Sequence, residues 1–143
     1  MKKALLLAIC LLLVLVLGGC SKKVSVSVSQ QNVLVYANPI ADNMLTGFNE
    51  KNYSKFSRDF SEQMKNGLSK PVFNQTRQQI VSKLGLYKTR TVSKIYKQGP
   101  STIVIYNAEF EKEKGVEVKV VFQKYEEKNL VSGLWFNSPK LRK

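Results

Sequence analysis

Cys20 is the side chain in this sequence best placed to react. It follows Leu17-Gly18-Gly19, where consecutive glycines leave an unhindered backbone open to close approach. The other thiol, Cys10, sits inside an apolar run. The chain of 143 residues has no histidine, and so lacks the side chain that titrates near neutrality and most often binds metal. No metal or cofactor is expected. Among the carboxylates, Asp42 and Asp59 fall on predicted helices between polar neighbours, and Glu109 and Glu117 on predicted strands. A carboxylate needs burial to acquire a catalytic pKa, and strand alternation places Glu117 opposite the neighbouring valines. None is chosen as catalytic. Tyr106, Tyr125, Trp135 and Phe136 are the candidate lining of a ligand pocket, with apolar walls and polar tips. Aromatic residues on strands also serve as plain core.

The segment before Cys20 fixes the address. Lys2 and Lys3 precede an apolar run over residues 4–17 and then small residues, the pattern of an export signal that is removed. The run is shorter than the roughly 20 apolar residues of a spanning helix. Leu17-Gly18-Gly19-Cys20 resembles the lipobox of bacterial lipoproteins. The resemblance implies a signal peptide over 1–19, cleavage between Gly19 and Cys20, and acylation of Cys20 by a diacylglycerol thioether and palmitate-type chains. It implies an extracytoplasmic protein whose first partner is membrane lipid. Ser21 is not the aspartate that retains many lipoproteins at the inner membrane, which points to the outer membrane in a two-membrane host and otherwise to the cell membrane. With Cys20 acylated, no thiol is left for a disulfide or a redox centre.

The whole chain carries 23 lysines and arginines against 10 acids, a formal +13. Loss of residues 1–19 takes two lysines and no acid, leaving 21 against 10 and a formal +11. The remainder is one small domain with a modest core. Most of its basic residues are dispersed from Lys51 to Lys128, unlike a nucleic-acid footprint. The expected partners are anionic lipid or an envelope polymer, not nucleic acid.

Elements must hold these residues in place, and residues 20–38 read as the acylated cysteine and a tether. Val24-Ser25-Val26-Ser27 alternates like a short edge strand, but a serine-rich stretch after a lipid anchor reads first as linker. The domain then spans 39–143. Asn38-Pro39 predicts a helix start, with Ile40, Met44, Leu45 and Phe48 on one face to about residue 49. Tyr53, Phe56, Phe60 and Met64 predict a second helical stretch ending at Gly67. Ser69-Lys70-Pro71 opens a third, with Phe73, Thr76, Ile80 and Leu84 on its face and Gly85 as terminator. From there the period is two. Strands are predicted over 90–97, 102–110, 116–123 and 130–136, followed by a basic tail over 139–143. Helices followed by an antiparallel meander make an α+β fold.

That order, with Phe48-x-x-x-x-Tyr53-x-x-Phe56, Met64, Leu84-Gly85-Leu86-Tyr87 and Val131-Ser132-Gly133-Leu134-Trp135-Phe136, resembles the family called domain of unknown function 3887. The family is similar to the nuclear transport factor 2-like superfamily. The resemblance implies about three N-terminal helices on a curved four-stranded antiparallel sheet, enclosing a cone-shaped pocket. It also makes a homodimer through the open sheet face an expectation. The reading drawn is a membrane-anchored binding or accessory module, not an enzyme. Two alternatives stand beside it: a pocket enzyme pairing a tyrosine with a strand glutamate, or an electrostatic binder of anionic envelope polymer. A buried carboxylate within reach of a tyrosine would favour the enzyme; a filled interior would favour binding or structure.

Overall fold

A computed structural model describes residues 28–143. The expected signal, Cys20 and the tether as far as residue 27 lie outside the described residues. The domain opens with one long helix, α1 (Val28–Asn49). The helix expected to start at Asn38-Pro39 is therefore already under way at Val28, the first described residue, and residues 28–38 of the expected tether are helical. Val33, Tyr36, Ala37, Ile40, Ala41, Met44, Leu45 and Phe48 explain why. They recur at helical spacing, and all are buried in the core or packed against it. This stripe crosses Pro39, which is exposed and lies inside the helix. An interior proline costs about 3 kcal/mol, the same order as burying one or two large apolar side chains. Packing overrides the local start signal.

The second predicted helix is two. α2 (Tyr53–Phe56) is capped by the Asn52 side chain, which accepts from the Lys55 N–H. α3 (Glu62–Gly67) is capped by Ser61, which accepts from the Met64 N–H. Between them the Ser57 hydroxyl turns back to the Tyr53 carbonyl at 2.8 Å, a local bond that competes with helix continuation. Phe60 instead forms a parallel bridge to Val131. α4 (Lys70–Leu84) follows as predicted, from Ser69 at the N-cap position to Gly85 at φ +77°.

The sheet is a meander in the order β1 (Tyr87–Gln98), β2 (Ser101–Phe110), β3 (Val116–Tyr125) and β4 (Lys128–Asn137), all antiparallel. Gly99 at φ +57° takes the first central position of the two-residue β1–β2 loop, where a primed turn needs positive φ. The register slips at Tyr87/Thr89 and Val92/Lys94 of β1 and at Val121/Phe122 of β3, and such bulges bend a sheet. Val104, Tyr106, Ala108 and Phe110 of β2 and Val116, Val118, Val120 and Phe122 of β3 are buried on its inner face beneath the helices. The opposite face carries the row Lys94, Ile105, Lys119, Trp135, one residue from each strand. The basic tail folds as a 3-10 turn, Pro139–Arg142, beside α4.

Candidate functional site

Two arginines hold α1 on the rest of the domain. Arg77 of α4 donates to the carbonyls of Phe48 and Asn49, the latter at 2.9 Å. It thereby satisfies carbonyls at the end of α1, where Phe48 otherwise accepts only a long bond from the Lys51 N–H at 3.3 Å. Asn49 itself grips the start of β1: its Nδ2 donates to the Tyr87 carbonyl at 2.8 Å and its Oδ1 accepts from the Tyr87 N–H at 2.9 Å. Arg90 of β1 does the corresponding work in the middle of α1. Its guanidinium donates to Asn38 Oδ1 at 3.1 Å, the Asn38 carbonyl at 3.0 Å and Asp42 Oδ1 at 2.7 Å. Those partners flank Pro39, so Arg90 ties β1 to the turn of the helix that proline disturbs.

The same guanidinium lies 4.4 Å from the centroid of the Tyr106 ring, and the Tyr106 hydroxyl donates to Asn38 Oδ1 at 3.4 Å. The Arg90 side chain is 8% exposed and its Nε is buried with no partner among the described residues, whereas the Asp42 side chain is 65% exposed. Burial pushes the Tyr106 phenol up, against a smaller downward pull from Arg90. Tyr106 is therefore held neutral at physiological pH and is a hydrogen-bond donor, not a base. Burial likewise raises Tyr87. The cluster is built to hold the helix: its carboxylate faces solvent and its tyrosine meets an amide. Among the described residues no tyrosine hydroxyl bonds a carboxylate, and no group of three or more histidine, cysteine, aspartate or glutamate residues is placed to hold a metal. Asp59 pairs with Arg58 and Glu109 with Lys114, and Glu117 is exposed.

The four aromatic residues expected to line one pocket do not converge. Tyr106 is buried in the arginine cluster. Phe136 packs in the core with Phe48 at 5.7 Å and Phe110 at 6.2 Å between ring centroids. Trp135 projects from the opposite face, 51% exposed, under the Lys119 ammonium at 4.3 Å. Tyr125, 40% exposed, bonds Gln123 near the β3–β4 turn. Only Trp135 and Phe136 meet, along a shallow groove of about 500 Å³ against α4. The strand period explains the split, since adjacent residues point to opposite faces.

The interior is filled at one end and open at the other. Where α1, α2 and α4 meet β4, the space left between Phe48, Phe56, Phe73, Ile80 and Phe136 is about 90 Å³, below the few hundred Å³ of ligand clefts. At the opposite end, the first turns of α1 and the far ends of the strands enclose about 690 Å³. Val33 and Tyr36 of α1 face Ile95 and Phe122 of the sheet there, with Tyr36 and Phe122 edge to face at 5.4 Å. Lys97 and Lys124 stand exposed at its rim. Sequence reasoning missed this groove because its helical wall lies in the residues assigned to the tether. The signal was present: Val33 and Tyr36 continue the three- and four-residue spacing of Ile40 and Met44.

Residues 41–134 match the family described as "Protein of unknown function (DUF3887)". The chain belongs to that family. Among curated proteins no match is found. A solved structure to which it is similar is an NTF2-like protein of unknown function from Cytophaga hutchinsonii ATCC 33406, at 10% identity and a TM-score of 0.41, with 74% of this chain and 94% of that chain covered.

Proposed function

We propose that this member of the family is an extracytoplasmic lipoprotein, cleaved between Gly19 and Cys20 and acylated at Cys20, whose single domain is a binding or accessory module held at a membrane surface. The observation that carries the reading is where the wide groove opens. Ser29 and Asn32, in the first turns of α1, line it, so it lies at the end of the domain from which the chain runs back to Cys20. Seven residues, 21–27, lie between Cys20 and Val28, the first described residue of α1. They reach at most about 25 Å when fully extended. A tether of that length keeps the groove close to the headgroups. Each buried methylene of an acyl chain contributes about 0.8 kcal/mol, so one chain gives reversible attachment and two or more give a persistent anchor. The formal +11 of the processed chain favours anionic surroundings.

The test is fractionation with intact-mass measurement in a bacterial host that processes lipoproteins. The wild-type chain is expected in the membrane fraction, at the mass of residues 20–143 plus diacylglycerol and acyl chains. Cys20→Ser is expected to be neither cut before residue 20 nor lipidated. A Cys20→Ser protein that is processed and membrane-bound with the same lipid mass would sink the anchor.

A further inference from the structure

The β-sheet register gives the groove a chemical polarity that the sequence hides. On β3 the inner face runs Val116, Val118, Val120, Phe122, all buried, and the next position on that face is Lys124. On β1 the inner position after Ile95 is Lys97, which pairs with Thr102, which in turn pairs with Phe122. The inner-face positions of β1 and of β3, which flank β2, therefore each end in a lysine beyond an apolar residue, Ile95 or Phe122, and both lysines border the groove. Lys97 makes no salt bridge among the described residues, and Lys124 meets only Glu127 at 3.4 Å, with both side chains well exposed, a kind of pair that holds little energy. Asn129 and Thr102 add neutral hydrogen-bonding groups beside them. The groove thus has an apolar floor, a cationic rim and about 690 Å³ of space, within the range of small-ligand clefts.

We infer that this groove takes the headgroup and part of one acyl chain of an anionic phospholipid from the bilayer to which the domain is tethered. The chain would lie on Val33, Tyr36, Ile95 and Phe122, and the phosphate would meet Lys97 and Lys124. The volume suits a part of one lipid and not an entire two-chain molecule. The inference rests on the anchored reading above, which sets the lipid surface within reach. A zwitterionic lipid offers the same chain but no net charge for the two ammonium groups, so the anionic class is the better fit.

The experiment uses the lipidated full-length mature protein in vesicles of phosphatidylcholine, with or without a minority of phosphatidylglycerol, each doped with the matching lipid carrying a photoactivatable acyl chain. Flotation reports the anchor and the labelled peptide reports the groove. Expected is flotation with both vesicles, and labelling of the peptides containing Val33, Tyr36 and Ile95 only when the probe is anionic. Lys97→Glu with Lys124→Glu, both at exposed positions, should still float and lose about tenfold of that labelling, since each lysine near an anionic surface contributes on the scale of a few-fold. Ile95→Trp, which fills the groove, should lower labelling similarly while leaving the melting temperature within a few degrees. Protein that fails to float with neutral vesicles defeats the anchor reading. Protein that floats but is labelled elsewhere, or equally by both lipids, or unchanged in the double variant, overturns the groove inference.

Discussion

The two ends of the helix–sheet sandwich differ in how many elements cover the same sheet. At one end α1, α2, α4, the Phe60 segment and the inner residues of β1, β2 and β4 supply two groups of packed rings, Phe48, Tyr87, Phe110 and Phe136 in one and Tyr53, Phe56, Phe60 and Phe73 in the other, with neighbouring ring centroids 4.5 to 6.4 Å apart. At the other, among the described residues, only the first half of α1 lies over the strands, and Tyr36 on Phe122 is the one aromatic pair between them. Rings at these separations and tilts attract beyond their area burial and leave about 90 Å³ unfilled. A single helix cannot fill the wider span, and about 690 Å³ stays open. The lesson is that stability and ligand space have been assigned to opposite ends of one fold.

Truncating a side chain at each end is the strongest way to break that contrast. Phe73, 2% exposed and 4.5 Å from Phe56, should cost about 4 kcal/mol as Phe73→Ala, the range for a large buried ring. Tyr36→Ala, at the open end, should cost about 1 kcal/mol because its ring is only partly buried. Urea denaturation with a common m value would measure both, and equal losses would mean that the two ends are one cooperative core of equal density. Next in size is Gly47→Ala. A Cβ there would sit 2.4 Å from the Phe56 nitrogen and 2.8 Å from its Cα, and backbone cannot swing aside as a side chain can. A loss of about 3 kcal/mol is expected, at the upper end for overpacking. A loss below about 1 kcal/mol would show that α1 and α2 can part, and that the closed end is not rigid.

The smallest effect lies between the two ends and depends on pH. Because burial raises the Tyr106 phenol, the fold keeps a proton that the unfolded chain releases near pH 10. The associated stability is fully present below about pH 10 and declines as pH rises toward the folded value, by at most about 1.4 kcal/mol per pH unit. Tyr106→Phe should flatten that decline relative to wild type when urea midpoints at about pH 9 and about pH 11 are compared. Parallel declines would mean that the phenol titrates as it does in the unfolded chain.

Much of this architecture is legible in the amino-acid sequence. Val116 to Phe122 alternate cleanly enough to fix β3 and its buried face, and Ser69, Pro71 and Gly85 bracket α4. The failures have physical causes. Asn38-Pro39 is a sound local start signal, yet the helix runs through it because Ala37, Ala41 and the residues around them are buried on one stripe and Arg90 ties down the disturbed turn. Phe60 keeps helical spacing from Phe56 and Met64, but its backbone pairs with a strand more than seventy positions later, which no local period can reveal. The cationic rim of the groove was hidden for the same reason. Lys97 and Lys124 read as ordinary solvated lysines until the register of β1, β2 and β3 places both beside one concave surface.

The short bridge between Phe60 and Val131 has a consequence for what many copies of this domain would do together. β1 and β4 are the outer strands of the sheet, and an outer strand is a template on which another chain can polymerise. The segment around Phe60 occupies the template on β4: the Ser61 N–H bonds the Val131 carbonyl at 2.9 Å, and the Val131 N–H bonds the Asp59 carbonyl at 2.8 Å. β1 is guarded differently, by its two register breaks and by Lys88, Lys94 and Lys97 along its length. Each rim is thus interrupted against cross-chain strand growth by its own means, β4 at Val131 and β1 at its register breaks. A domain crowded against its neighbours on a two-dimensional surface could be concentrated there without seeding fibrils.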